Sequence, residues 1–220
     1  MSPSERLRSS TQAVHRKVER TPFVQSFLRG TLALSDYVLH LQALNQVYGE
    51  LESKVQRHPC LSAFPWRALA RGPALRADLR SLGTEAPKEA SPATARFLDR
   101  LAEAEEDQPS LLVAHAYVRY LGDLSGGQIL ARIAQSKLGL RESACHFYRF
   151  ARPVDELKAA FRHALDELSV DIDALVAEAL LSFELNEAIF VEIQPKMTRA
   201  ATAMDTASSP SAQAKGALVL

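Results

Sequence analysis

The sequence of 220 residues has few of the features that mark disulfide-linked, nucleic-acid-binding or membrane proteins. Its two cysteines, Cys60 and Cys145, lie far apart and outside any paired spacing, so neither a disulfide framework nor a zinc site is indicated. We expect both to pack as small buried hydrophobes. The 26 basic and 26 acidic residues balance, which excludes the general positive charge that recruits nucleic acid. Any site for an anion must therefore be local.

Long apolar runs are also missing. No stretch approaches the roughly 20 residues that a membrane helix needs, and the apolar residues 217–220 are too few to form an anchor. Residues 1–6 are polar and charged and lack the apolar segment of a secretory signal. We therefore expect a cytoplasmic protein that is not inserted in a membrane.

The sequence does contain many signals for the start and end of helices. Capping residues, then proline or an acid, then apolar residues three and four apart recur along the chain, whereas strand-like alternation is scarce. With 47% hydrophobic residues, 220 residues suffice for one core and do not require two domains. We predict an all-α fold, a single-domain irregular helical bundle over residues 1–199. The Ala-, Ser- and Thr-rich residues 200–220 are predicted to be a disordered tail.

The start and stop signals divide the chain into helices. Long or well-marked helices are predicted over about residues 3–20, 22–30, 35–58, from 92 onward, 111–138, 153–168, and from 170 to near Pro195. Short helices are predicted between residues 60 and 82, and loops over residues 83–90 and 139–152. No internal repeat and no long linker interrupts this order.

Residues 114–128, AHAYVRYLGDLSGGQ, do not fit a plain bundle helix. Gly122, Gly126 and Gly127 stand between apolar flanks, and together they cost the helix on the order of 3 kcal/mol unless a close approach to the backbone is useful. Tight helix packing through the first two glycines is an alternative, but it leaves Asp123 unexplained. A phosphate-binding loop lacks its Gly-Lys-Ser/Thr ending. The pattern favours something flat or bulky pressed against this helix.

The first predicted helix offers a counterpart. Arg8, His15 and Glu19 follow one stripe beside its core face. A lone histidine there is usually a packing residue, although a carboxylate one turn away is the partner that a metal-bound histidine commonly has. Lys158 and Arg162, four apart, form either a solvated face or the local anion site.

At this point four segments resemble the haem oxygenase family. Residues 114–128 are similar to its distal-helix signature nearly letter for letter, and residues 13–15 with Glu19 resemble its proximal-histidine segment. Residues 158–162 and 183–186 match later family segments in the same order, so the resemblance spans about residues 7–193. Gln12 and Val118 depart from it, since animal members carry lysine and threonine there.

The resemblance implies haem b, sandwiched between the first helix and the glycine-containing helix, with His15 as the iron ligand. It implies a set of residues that shape the oxygen-binding side and hold a water network there: Gly122, Asp123, Gly126, Arg119, Tyr48 and Asn186. It implies a second set that contacts haem, its propionates or the ligand histidine: Arg8, Glu19, Tyr117, Gly127, Lys158, Arg162 and Phe183.

The resemblance also implies the reaction. Haem is cleaved at a meso carbon, expected to be α, to biliverdin, ferrous iron and carbon monoxide, with dioxygen as co-substrate. The electrons would come from an external ferredoxin or flavoprotein reductase, because the chain has no flavin or nicotinamide fingerprint. A monomer without the membrane anchor of the animal enzymes is expected.

Three other functions are alternatives to this activity. A non-catalytic haem-binding or haem-transfer protein would use the same His15 and cations, but it has no need of a carboxylate such as Asp123 beside bound oxygen. A thiamin-degrading enzyme of related fold needs a nucleophilic cysteine, and Cys60 and Cys145 have unsuitable neighbours. A di-iron bundle needs paired Glu-x-x-His segments, which are absent.

Overall fold

The computed structural model describes residues 1–193. Its α-helices, in chain order, are α1 (Pro3–Glu19), α2 (Pro22–Arg29), α3 (Leu34–Arg57), α4 (Trp66–Leu69), α5 (Gly72–Ser81), α6 (Pro92–Asp107), α7 (Leu112–Lys137), α8 (Val154–Asp166) and α9 (Ile172–Ile193). Short 3-10 turns cover Pro59–Leu61, Pro109–Leu111, Glu142–Ala144 and His146–Tyr148. This part of the chain contains no strand, which confirms the all-α prediction. The predicted tail and Pro195 lie outside the described residues.

The helices begin and end where the sequence signals stand. Ser2 caps α1 in a capping box with Glu5, and Pro3 occupies the first turn. Gly30 ends α2 with φ of +70°, a left-handed conformation that costs glycine little. Because these signals are local, the predicted limits of the long helices agree with the structure to within about three residues.

Helix α9 lies at the centre of the contacts that position the other helices. It packs against α1, α7, α6 and α3, while α3 also packs against α5, α6 and α7. The first ten residues of α7 are all buried, because helices cover it on several sides. Within residues 1–193, none of the helices is both long enough and apolar enough to cross a membrane.

A buried charge network fixes the back of α7 against α9 and α6. The Arg100 guanidinium donates two hydrogen bonds, of 2.9 and 2.7 Å, to the Glu178 carboxylate. The same carboxylate lies 2.6 Å from Nε2 of the fully buried His115. Burial acts to raise the pKa of Glu178, but the bonds from His115 and Arg100 outweigh it and lower that pKa to about 2. Three helices are thereby held in register behind the residues that face the site.

A second set of buried polar contacts fixes the segment after α7. The Asp78 carboxylate accepts hydrogen bonds of 2.8 Å from the backbone N–H groups of His146 and Phe147. Arg71 donates to the carbonyl of Phe147 at 3.0 Å and lies over the Phe150 ring at 3.9 Å. The irregular segment that follows α7 is therefore held in one place beside α5.

The two cysteines differ in environment. Cys145 is buried, as predicted. Cys60 is exposed, so the prediction that it packs in the core was wrong. It lies in the 3-10 turn that follows α3, and Leu61 is the residue of that turn that is buried in the core.

Candidate functional site

A cavity of about 140 Å³ lies between α1 and α7 and is closed at its sides by α2, α3, α9 and the segment after α7. Half of the fourteen residues predicted for the site line it: His15, Glu19, Arg119, Gly122, Asp123, Phe183 and Asn186. The two helices that the sequence pattern paired therefore face each other across one space.

His15 stands on the α1 wall of this cavity. Its side chain is 16% exposed, and its Nδ1 atom lies 3.7 Å from a Glu19 carboxylate oxygen, which is ion-pair range rather than hydrogen-bond range. The Phe183 ring meets it edge-on, with 5.9 Å between centroids. Burial lowers the pKa of His15. The charge of Glu19 acts to raise this pKa, and the charge of Arg16 lowers it further. The result is a neutral imidazole with one nitrogen facing a carboxylate, which leaves the other nitrogen for a metal.

Four polar residues from three helices form a network at the α7 wall. The Tyr48 hydroxyl on α3 donates a hydrogen bond to the Asp123 carboxylate on α7. Arg119 donates to Asp123 at 3.3 Å and to the Asn186 carbonyl oxygen on α9 at 2.9 Å. The sequence separates Tyr48 and Asn186 widely from the glycine helix, and the fold brings both of them to it.

The network orients its carboxylate and opposes the effect of burial on the pKa of that group. Burial raises the pKa of Asp123, whereas Arg119 and the hydrogen bond from Tyr48 oppose that rise. Burial and the neighbouring Asp123 charge raise the pKa of Tyr48 well above its usual range, so the phenol keeps its proton and remains a donor. Asp123 therefore presents a held carboxylate at the cavity edge.

The glycines of α7 have different surroundings. A Cβ atom added at Gly122 would meet nothing within 4 Å, so the backbone there faces open space on the cavity wall. A Cβ atom at Gly127 would lie 3.6 Å from a Tyr148 side-chain carbon. Gly126 is buried. The structure thus gives Gly122 the open position, while Gly127 packs against the segment after α7.

The predicted propionate contacts lie together but outside the cavity lining. Tyr117 is buried on α7, and burial raises its pKa, although the nearby Thr11 hydroxyl and the charges of Arg162 and Arg8 oppose that rise. Burial lowers the pKa of Lys158; Asp155 opposes this and Arg162 adds to it. Within the described residues, none of these three cations forms an ion pair with a carboxylate. They form a local positive cluster near α1, α7 and α8.

Several further residues line the cavity that were not predicted from the sequence to belong to the site: Val24, His40, Leu130, Phe147, Tyr148 and Phe190. The aromatic pair at residues 147–148, inside a predicted loop, was a signal that could have been followed, because exposed loops rarely need two aromatic rings. No signal marked His40, which occupies a core position in the periodicity of α3.

Comparison with known proteins decides the family. A sequence model of the family described as Heme oxygenase matches residues 1–192 of the chain. The chain belongs to the haem oxygenase family. The curated "Heme oxygenase 1" of the cyanobacterium Nostoc is 34% identical over 209 residues, which cover 90% of this chain and 88% of the relative.

Solved structures agree with this family. The heme oxygenase-1 of the cyanobacterium Synechocystis, solved in complex with heme, is 32% identical, with a TM-score of 0.85 over 94% of this chain and 98% of that one. The heme oxygenase of Leptospira interrogans is 38% identical, with a TM-score of 0.83 over 87% of this chain and 100% of that one. The predicted family, fold class and enzyme class of this haem oxygenase are therefore confirmed, whereas the roles of its individual residues stay predictions.

Proposed function

We propose that this haem oxygenase binds haem b, as both substrate and cofactor, between α1 and α7, with His15 as a ligand of the iron. The position of His15 on the cavity wall, with Nδ1 facing Glu19, supports this role. A carboxylate beside the other ring nitrogen orients a ligand histidine and makes it a better base for the metal. Gly122 on the facing helix leaves room for a flat ligand.

The remaining surroundings suit haem as well. Aromatic and aliphatic side chains from α1, α2, α7 and α9 offer apolar walls to a porphyrin. The cluster of Arg8, Lys158 and Arg162 offers charge-assisted hydrogen bonds to two propionates. Ligand pockets commonly measure about 300–1,000 Å³, and the 140 Å³ cavity is smaller, so we propose that it widens as haem enters. We propose that α1, which contributes His15, Val18 and Glu19 to the lining, moves outward on binding.

Bound haem supplies the iron that activates dioxygen and is the molecule that is cleaved, to biliverdin, ferrous iron and carbon monoxide. The work of this chain's own residues is to arrange water and protons beside it. We propose that the Asp123 carboxylate, held by Tyr48 and Arg119, orders water at the cavity edge. Asn186 holds Arg119 in turn, and the Gly122 backbone allows close approach.

The observation that carries a catalytic rather than a carrier function is the Asp123 network. A largely buried carboxylate is costly, and here a tyrosine and an arginine hold it at the cavity edge, on the helix that faces His15. A protein that only stores or transfers haem needs a ligand and cations but gains nothing from such a group. The network therefore favours turnover.

The ligand assignment is tested by titrating the protein with hemin. We expect His15→Ala to lose the wild-type haem spectrum and turnover, while its far-ultraviolet circular dichroism is unchanged because an edge-of-core histidine contributes little packing. His163→Ala, an exposed histidine on α8, is the matched control and should behave as wild type. A wild-type haem spectrum in His15→Ala would show that another group is the ligand.

The role of Asp123 is tested by comparing binding with product. We expect Asp123→Asn and Asp123→Leu to keep hemin affinity within about threefold and to lose most biliverdin formation, because an interaction needed mainly in the transition state affects rate more than affinity. Oxidation of added guaiacol should rise in their place. Full biliverdin yield from Asp123→Leu would contradict the water-ordering role.

The cations and the electron donor complete the proposal. We propose that Lys158 and Arg162 fix the in-plane orientation of haem so that the α isomer of biliverdin forms, which chromatography of the product from the double alanine variant would test. A mixed isomer pattern is expected, and a single unchanged isomer would contradict it.

An external ferredoxin or flavoprotein reductase supplies the electrons. A monomeric state and a cytoplasmic location stay predictions.

A further inference from the structure

His40 is a polar residue in the apolar part of the cavity wall. It lies on α3 and is 8% exposed, and its ring packs between Phe23 and Phe190, with centroids 5.0 and 5.5 Å away. Neighbouring inward positions of the same helix carry Leu44 and Val47. A phenylalanine or leucine would fill this place without the cost of burying a polar ring.

One nitrogen of the His40 ring lacks a hydrogen-bond partner among the described residues. Nδ1 of His40 is buried and has no hydrogen-bond partner in the part of the chain that the structure describes. Burial, with the charge of Arg119 adding to it, lowers the pKa of His40 to about 3, so the ring is neutral and carries one N–H and one lone pair. Buried polar atoms without partners are rare in native proteins, and each one calls for an explanation.

Arg119 has the complementary atom. Two of its nitrogens donate to Asn186 and Asp123, but its Nε is buried and has no partner among the described residues. Nε–H can only donate, and Nδ1 of a neutral histidine protonated at Nε2 can only accept. Both side chains line the same cavity, and α9 connects them, since Asn186 accepts from Arg119 and Phe190, one turn further on, packs on His40.

We propose that one water molecule in the cavity bridges Nε–H of Arg119 and Nδ1 of His40, which makes His40 a positioning residue of the Asp123 network. The water accepts from Arg119 and donates to His40, and its second hydrogen and lone pair remain free. Arg119 is then held through three of its nitrogens, and the Asp123 carboxylate it contacts is held with it. This inference rests on the proposed function and deepens it.

The water and the tautomer are tested in the haem-free protein, where no activity is needed. Nitrogen-15 NMR of the imidazole should show the Nε2–H tautomer with Nδ1 accepting a hydrogen bond. A crystal structure that resolves ordered water should show one molecule within hydrogen-bond distance of both atoms. A proton on Nδ1, a direct contact between the side chains, or a dry gap would each overturn the proposal.

The functional consequence is tested with a matched set of variants. His40→Phe keeps the aromatic packing and removes both nitrogens, His40→Gln keeps a hydrogen-bonding group, and His163→Phe is the exposed control. We expect His40→Phe to lower kcat about tenfold with hemin affinity unchanged, and His40→Gln to recover most of it. A wild-type kcat in His40→Phe would show that the ring acts by packing alone. If the wild type made no biliverdin, the proposed function would fail while the tautomer and water would still decide this inference.

Discussion

Replacing Gly122 with alanine separates the needs of the fold from the needs of the site. Gly122 lies inside α7, and an added Cβ atom would meet nothing within 4 Å. Glycine in a helix interior costs about 1 kcal/mol relative to alanine. Gly122→Ala should therefore raise the unfolding free energy of the haem-free protein by about 1 kcal/mol, which corresponds to about 2–4 °C in Tm for a chain of this size.

The same methyl group should weaken haem binding. It would enter the space between α1 and α7 that we assign to haem, and an extra methyl in a filled site typically costs about 1–3 kcal/mol. We expect hemin affinity to fall by about tenfold or more, since about 1.4 kcal/mol corresponds to a factor of ten, and biliverdin formation to fall with it. A stabilised protein with a weakened site is the expected signature.

Gly49→Ala is the matched control. Gly49 is an exposed glycine inside α3 with nothing within 4 Å of an added Cβ atom, and it lies outside the cavity lining. It should gain similar stability and keep wild-type haem binding. The assays are urea unfolding of the haem-free proteins and titration of the Soret band. Wild-type hemin affinity in Gly122→Ala would refute the placement of haem against this glycine.

Three further predictions concern the framework. Arg71→Ala should lower the unfolding free energy measured in urea by about 2–3 kcal/mol, because it leaves the buried carbonyl of Phe147 without its donor. Wild-type stability in this variant would show that the segment after α7 does not depend on Arg71. The pKa of Glu178 is about 2 in the folded chain and 4.5 ordinarily, so its contribution to the unfolding free energy is fully present above pH 4.5 and falls by about 2 kcal/mol as the pH drops to 2. Glu178→Gln should reduce this acid-dependent loss of unfolding free energy, and the same loss in the variant would contradict the prediction. Amide hydrogen exchange in α1 should change when hemin binds and become slower, and unchanged exchange there would argue against the proposed movement of this helix.

Most of the fold could be predicted from local signals in the sequence. Ser2 with Pro3, and Gly30 after α2, act through the backbone of their own turn, so the long helices could be bounded without tertiary information. The burial of side chains outside regular helices was less predictable. Cys60 was expected inside because free cysteine usually is, but the turn after α3 places it at the surface.

The site could be predicted where its residues share one helix. His15 and Glu19 are one turn apart on α1, so their proximity follows from helix geometry. Arg119 and Asp123 are also one turn apart on α7, but Arg119 was assigned to the site by the family resemblance. The contact between Tyr48 and Asp123 joins α3 to α7; the family resemblance placed both residues in the site, and the structure shows the bond between them. His40 could not be found from its position, because burial and not sequence distinguishes a packing histidine from one in a polar network.

We propose that this chain holds haem through His15 and cleaves it. The most direct test is to mix the purified protein with stoichiometric hemin, a reductant and oxygen, and to follow the Soret band, the biliverdin absorption and the carbon monoxide released. We predict that the Soret band disappears while biliverdin and carbon monoxide appear in equal molar amounts, and that His15→Ala gives neither product. A Soret band that persists in the wild type, or that fades without biliverdin, would contradict the account.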